Sequence, residues 1–176
     1  MTATFDTNSS TLVSWVEGAN DPTCMFPIQN LPYGRFRRER SDPWSIGVAI
    51  GDRILDVHAA GFLDSQDMAQ LLALPLAQRQ AMRQNLARAL GVDFEFRNRV
   101  ERWLLPMSSV ELGLPCDIRN YSDFFIGVHH ARSTGRLYRP EAPLLPNYRW
   151  VPIGYHGRAS TVQASGNDFY RPKGQV

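Results

Sequence analysis

Ile46-Gly47-Val48-Ala49-Ile50-Gly51-Asp52-Arg53-Ile54-Leu55-Asp56-Val57 is the stretch whose reading decides the fold. Two short β-branched runs flank Gly-Asp, and that turn chemistry brings consecutive strands together as a hairpin. Gly47 inside the first run points to close packing or a bulge. No Gly-rich phosphate fingerprint follows, so the hairpin does not open a nucleotide site. Phe36 and Trp44 are the nearest aromatics available to cover one of its faces.

Upstream, Pro27-Ile28-Gln29-Asn30-Leu31-Pro32-Tyr33-Gly34 reads as a rigid loop. Its two prolines restrict φ and Gly34 can supply a turn, while its apolar residues require a body to lie against. Arg35-Phe36-Arg37-Arg38-Glu39-Arg40 is the one dense basic run, read as a solvated loop with anion or partner contact as the alternative. Residues 1–11 are polar and are expected to fray or cross the surface.

Downstream, residues 64–72 fit a short helix and 76–90 a longer one. Met82, Leu86 and Leu90 recur at four-residue intervals and form its apolar stripe. Pro75 stands just before it and Gly91 is placed to cap its end; Arg79, Arg83 and Arg88 are assigned to its wet face. Residues 99–105 read as one more helical piece, stopped by Pro106. The stretch from Pro106 to Ile118 has no clean periodicity and is read as a boundary.

Composition limits the function. Apolar residues make up 43% of the 176, enough for a core. A net charge of +2, from 19 basic and 17 acidic residues, argues against a general nucleic-acid binder. Cys24 and Cys116 match no zinc or disulfide pattern and read as reduced thiols in a cytosolic protein. The N-terminus lacks the features of a secretory signal, and no apolar run approaches the roughly 20 residues that cross a bilayer.

The chemistry-bearing residues gather later, in Asn120-Tyr121-Ser122-Asp123-Phe124-Phe125-Ile126-Gly127-Val128-His129-His130-Ala131 and in Pro152-Ile153-Gly154-Tyr155-His156-Gly157-Arg158-Ala159-Ser160. Such a mixture is poor core material, because buried polar groups lose hydration, and suits the wall of a pocket for an anionic, oxygen-rich ligand. Residues 121–135 read as a helix with Ser122 as N-cap and Asp123 in the first turn. Gly127 would then weaken its interior by about 1 kcal/mol. Seven residues separate Asp123 from His130, which on a helix places them roughly 10 Å apart along the axis, at two ends of one small ligand.

His130 is either a proton acceptor near neutral pH or a structural or surface histidine. Asp123 is either a hard oxygen ligand for Mg²⁺ or Ca²⁺ or a helix-start carboxylate. His129 points about 100° away from His130 on a helix. Arg139, before Pro140, lies past the helix and suits bidentate contact with a carboxylate. Residues 139–147 form a proline-stiffened loop, and 154–158 a tight, Gly-bounded turn holding Tyr155 and His156. No Ser-His-Asp order or nucleophile elbow is present, so hydrolysis here would use activated water.

In these segments the chain resembles the fumarylacetoacetase family. The matching blocks are residues 26–34, Ile46–Asp52 with Ile54-Leu55-Asp56, Tyr121-Ser122-Asp123-Phe124, His130-Ala131, and Leu145-Pro146-Asn147 through 154–160. Ser165-Gly166 and Arg171-Pro172 with Gly174-Gln175 continue the likeness.

The resemblance implies a fold that is mainly β with short helices. An SH3-like N-terminal domain would be followed by the start of a truncated β-rich catalytic domain. The expected layout is a tail over 1–24, the SH3-like domain with a helical appendage over 25–110, and catalytic-domain sequence over 111–176. The implied reaction is hydrolysis of a carbon–carbon bond in 4-fumarylacetoacetate, giving fumarate and acetoacetate in tyrosine catabolism. The enzyme would be a cytoplasmic homodimer when full length, using Ca²⁺ or Mg²⁺ and a small diketoacid substrate, without nucleic-acid or membrane partners.

Carried over by residue, His130 is the general base and Asp123 the first metal carboxylate. Arg139 and Tyr155 contact substrate, and Phe125 stands where the family usually has a substrate-contacting tyrosine, one hydroxyl short. The remaining metal carboxylates and the glutamate behind the histidine fall beyond Val176, so this chain alone is expected to be inactive. A non-catalytic SH3-like interaction or dimerisation module, and a related metal-dependent diketone hydrolase, are the alternatives.

Overall fold

A computed structural model of the chain describes residues 5–171 with Lys173 and Gly174. Pro172 and Gln175, quoted in the resemblance, lie outside the described residues. Two compact units are present, one built mainly from residues up to Cys116 and the other from Asp117–Gln163.

The first unit is organised by the expected hairpin. Three strands, β1 (Tyr33–Arg37), β2 (Ser45–Ile50) and β3 (Arg53–Asp56), are joined by β4 (Leu104–Pro106) and β5 (Glu111–Gly113). They form one antiparallel five-stranded sheet in the order β4-β3-β2-β1-β5. This is an SH3-like, β-rich domain with short helices attached. Gly51 takes φ +60° in the β2–β3 turn, a conformation that favours glycine. Gly47 pairs with Gly34 and lies against Phe36 and Ile54, so close packing explains it.

Several expectations are corrected. Tyr33 and Gly34 are not loop but the start of β1, where Gly34 faces Gly47. The basic run is not a free loop through Arg37, because Arg35 and Arg37 alternate along β1 and both guanidinium groups lie over the Trp44 ring. Arg37 also makes a two-pronged ion pair with Glu111 of β5, at 2.9 and 2.6 Å. That bond holds the exposed Glu111 carboxyl below its ordinary range. Leu104 and Leu105 are strand, paired with Leu55 and Ile54, where helix was expected. β5 lies inside the stretch read as a boundary; its Gly113 leaves room for the Trp44 ring, which a Cβ would meet at 2.7 Å.

The helices of this unit share one buried core with the sheet. α1 (Met68–Ala73) is capped by Asp67, whose side chain accepts from the Ala69 N–H. α2 (Leu76–Ala89) buries Met82 and Leu86, with Leu90 directly after, as the stripe predicts. Its end is not closed by a left-handed glycine at Gly91. Instead the Ser14 hydroxyl donates to the Leu90 carbonyl at 2.7 Å and the Trp15 indole to that of Ala89 at 2.9 Å. Residues 14–20 are thus built into the body, with Val16 and Ala19 buried.

Arg83 departs from the wet face. Half-buried, it donates to the carbonyls of Ile28, Gln29 and Leu31. This clamp holds the proline loop, whose Ile28 and Leu31 enter the core. α3 (Arg97–Glu101) completes the unit.

Candidate functional site

All the proposed site residues belong to the second unit. β6 (Ser122–Phe125) and β7 (Ile153–His156) form a two-stranded antiparallel sheet, followed in chain order after β6 by α4 (Val128–Tyr138). The helix expected over 121–135 therefore begins seven residues late. Phe124, Phe125 and Ile126 are good strand formers, residues 153–156 supply a partner, and extended Gly127 is the N-cap of α4. Gly127 is not a helix-interior glycine, and Asp123 is neither helical nor two turns from His130. Residues 154–156 are likewise strand, where a tight turn was expected.

The register places Asp123 opposite Tyr155 and Phe125 opposite Ile153. Alternation along strands then gives Asp123, Phe125, Tyr155 and Ile153 one common face. The Tyr155 hydroxyl donates to Asp123 Oδ2, and the Phe124 N–H donates to Asp123 Oδ1 at 2.7 Å. The phenol bond first, and the backbone bond second, hold the Asp123 carboxyl below the usual range. The same bond pushes the Tyr155 phenol up. Three rings continue the face: Phe125 lies 5.3 Å from Tyr155 and 5.1 Å from His130, stacked on the imidazole at 27°. His130 and Asp123 are thus linked through Phe125 and Tyr155.

Arg139 stands at the far end of α4, immediately after its last residue, with its backbone N–H on the Gly135 carbonyl. No hydrogen bond or ion pair among the described residues joins its side chain to the ring cluster. His156 points to the other face of β7, where Nε2 lies 2.7 Å from Asn120 Oδ1. Gly154 and Gly157 leave space for the rings of Phe124 and Tyr121, which a Cβ would approach to 3.0 and 2.1 Å. Two residues not singled out from sequence also act here: Asn120, and Tyr148, whose hydroxyl donates to the Phe125 carbonyl at 2.8 Å. An aromatic set directly after a proline-stiffened loop was the available signal for Tyr148.

A calcium ion takes six to eight oxygens and magnesium a strict octahedron. This face offers one carboxylate, both of whose oxygens already accept hydrogen bonds. Among the described residues there is no group of three His, Cys, Asp or Glu side chains able to hold a metal. By themselves these residues do not fit Ca²⁺ or Mg²⁺.

Residues 29–115 match the family model described as Fumarylacetoacetase N-terminal. The chain belongs to the fumarylacetoacetase family. The fumarylacetoacetase of Oryza sativa subsp. japonica is 40% identical over 188 residues, covering 94% of this chain and 43% of the relative. That of Caenorhabditis elegans is 39% identical over 169 residues, covering 86% and 40%, and that of Rattus norvegicus 38% over 172, covering 86% and 40%. An alignment covering 94% of the chain takes in all of Asp117–Gln163, so the likeness reaches the ring cluster as well as the domain match. The chain spans about two fifths of the length of these fumarylacetoacetases. Among its described residues no helix is long and apolar enough to cross a membrane.

Proposed function

We propose that this chain serves as a non-catalytic, SH3-like front module of a fumarylacetoacetase-type hydrolase, making protein contacts and not turning over substrate by itself. The observation that carries the reading is the state of Asp123. Its carboxylate is committed to Tyr155 and Phe124, and no second and third ligand stands beside it among the described residues. A first unit with a fully formed core, and a second unit whose polar groups do not close a site, match a module that contributes to an enzyme without being one.

In the full-length protein the same unit supplies groups to the reaction. Family membership supports hydrolysis of 4-fumarylacetoacetate by a cytoplasmic homodimer that uses Ca²⁺ or Mg²⁺. His130 is the general base. As water attacks a carbonyl carbon of the 1,3-diketone, its proton passes to the imidazole. The carbon–carbon bond then breaks, the water oxygen stays on the acyl carbon as fumarate, and the leaving enolate takes a proton to become acetoacetate. Tyr155 contacts substrate while its hydroxyl stays on Asp123, Phe125 forms the apolar wall beside it, and Arg139 pairs with a substrate carboxylate. A divalent ion would take Asp123 as one carboxylate and would need its other ligands from groups other than those described.

The test is a cleavage assay of the 176-residue chain on 4-fumarylacetoacetate, followed by loss of diketone absorbance with Ca²⁺ or Mg²⁺ present. No cleavage above the buffer rate, and no metal-induced rise in melting temperature, are expected. Metal-dependent cleavage that disappears in His130→Ala would show this chain to be an enzyme in its own right.

A further inference from the structure

Tyr148 is, with Ala131, one of two hydrophobic residues of the second unit that are buried among those described, at 8% exposure. It sits in a compact turn at the end of the loop of residues 139–147, where its own N–H donates to the Leu145 carbonyl and the N–H groups of Trp150 and Val151 both donate to that of Asn147. Burying a tyrosine requires a partner for its hydroxyl, and that partner is the carbonyl of Phe125, the last residue of β6. The site of this bond matters. Only Ile126 and Gly127 separate Phe125 from α4, and the helix start has no side-chain cap to fix its direction.

What holds this junction is backbone: Ile126 N–H on the Phe124 carbonyl and Ala131 N–H on that of Gly127. The Tyr148 hydroxyl is the one side-chain donor on it among the described residues. A second pin lies about two turns into α4, where Gly135 packs so closely on Pro143 that a Cβ would fall 1.9 Å from its carbonyl oxygen. The segment from Pro143 to Tyr148 thus touches both the strand end and the helix. The Phe125 ring, carried on the residue whose carbonyl is bound, is also the ring stacked on His130.

We propose that Tyr148 is the positioning residue for His130. Its hydroxyl fixes the Phe125 peptide, and Phe125 in turn sets the imidazole plane on the face shared with Tyr155 and Asp123. The significance for catalysis rests on the general-base reading of His130; the positioning itself does not.

The test uses the 176-residue chain and nuclear magnetic resonance. In the native protein the His130 ring protons should be displaced upfield by the Phe125 ring and show cross peaks to it. Tyr148→Phe removes one oxygen and keeps the packed ring. With the amide spectrum of the rest of the chain retained, loss of the His130 displacement and of the cross peaks is expected. A His130 spectrum unchanged in that variant overturns the proposal. If Tyr148→Phe does not fold, the native protein decides. A slowly exchanging Tyr148 hydroxyl proton together with Phe125–His130 cross peaks supports the assignment, and free exchange or missing cross peaks overturns it. Failure of the general-base reading is seen separately, as undiminished turnover of a full-length His130→Ala enzyme, and leaves the resonance result standing.

Discussion

At position 47 an added methyl group would lie 2.4 Å from Ile54 Cγ2 and 2.9 Å from Phe36 Cδ1. Both neighbours are buried side chains of the same sheet, so the strands or the rings would have to move. Overpacking of that kind costs about 1–3 kcal/mol. Gly47→Ala should lower the denaturant midpoint by a corresponding amount, measured by tryptophan fluorescence. At Asp123 and Tyr155 the expected effect is spectroscopic, because both side chains are solvent-accessible and their bond is no measure of stability. The lowered carboxyl keeps its charge until pH falls through its depressed value. The raised phenol keeps its proton until pH rises past its elevated one. The bond therefore persists across the whole neutral range and is lost at both extremes. Asp123→Asn weakens the hydrogen bond that holds the phenol proton and removes the charge that opposes phenolate formation, so the Tyr155 phenol should titrate at lower pH than in the native chain, followed by ultraviolet phenolate absorbance. No change in the titration would mean that the two side chains do not meet in solution.

The helix α4 sets two magnitudes against each other. Alanine is favoured over glycine in a helix interior by about 1 kcal/mol, so Gly135→Ala would stabilise an isolated α4. In the protein the new Cβ meets the Pro143 backbone at 1.9 Å, and a backbone carbonyl cannot turn aside as a side chain can. Packing should win. Gly135→Ala is expected to lower the melting temperature and to raise the exchange rate of amides in residues 140–148. An increase in stability would mean that the helix does not rest on that loop.

Elements differ in how openly their sequences declare them. The 46–57 hairpin and α2 have periodicity, turn chemistry and length, and both are legible. β4 and β5 are three residues each, too short for alternation to show, and they exist because β3 and β1 offer them edges. β1 is disguised by its arginines, whose stems and guanidinium groups use Trp44 as a platform. Residues 121–127 mislead because Ser-Asp at a helix start and Ser-Asp in a strand look alike, and the pairing partner lies some thirty residues away. The candidate site divides the same way. Asp123, Phe125, His130, Arg139 and Tyr155 could be named from sequence, but the ring stack depends on register and on the Phe125 carbonyl, which no local pattern records.

On the scale of the chain the two units are unequally supported. The first has a contiguous core in which Ile46, Val48, Leu55, Val57, Leu86 and Leu90 are fully buried. In the second, Phe124, Ile126, Leu137, Tyr138 and Trp150 are exposed, Trp150 to 85%. Since resistance to opening follows buried apolar contact, amides of β2, β3 and α2 should exchange last and those of 117–163 early in a hydrogen-exchange time course. Equal protection throughout would contradict this ordering.

The five-stranded sheet ends on strands too short to template another. Pro106 lacks an N–H on one margin, and on the other Glu111 is locked to Arg37. The pair β6–β7 has neither device: no third strand lies along either margin among the described residues, and although the Phe124 N–H and carbonyl of β6 are taken by Asp123 and Ile126, β7 carries no such block. A foreign β-segment would thus be refused by the larger sheet and could be admitted by the smaller one, which makes growth of structure in this molecule a one-sided affair.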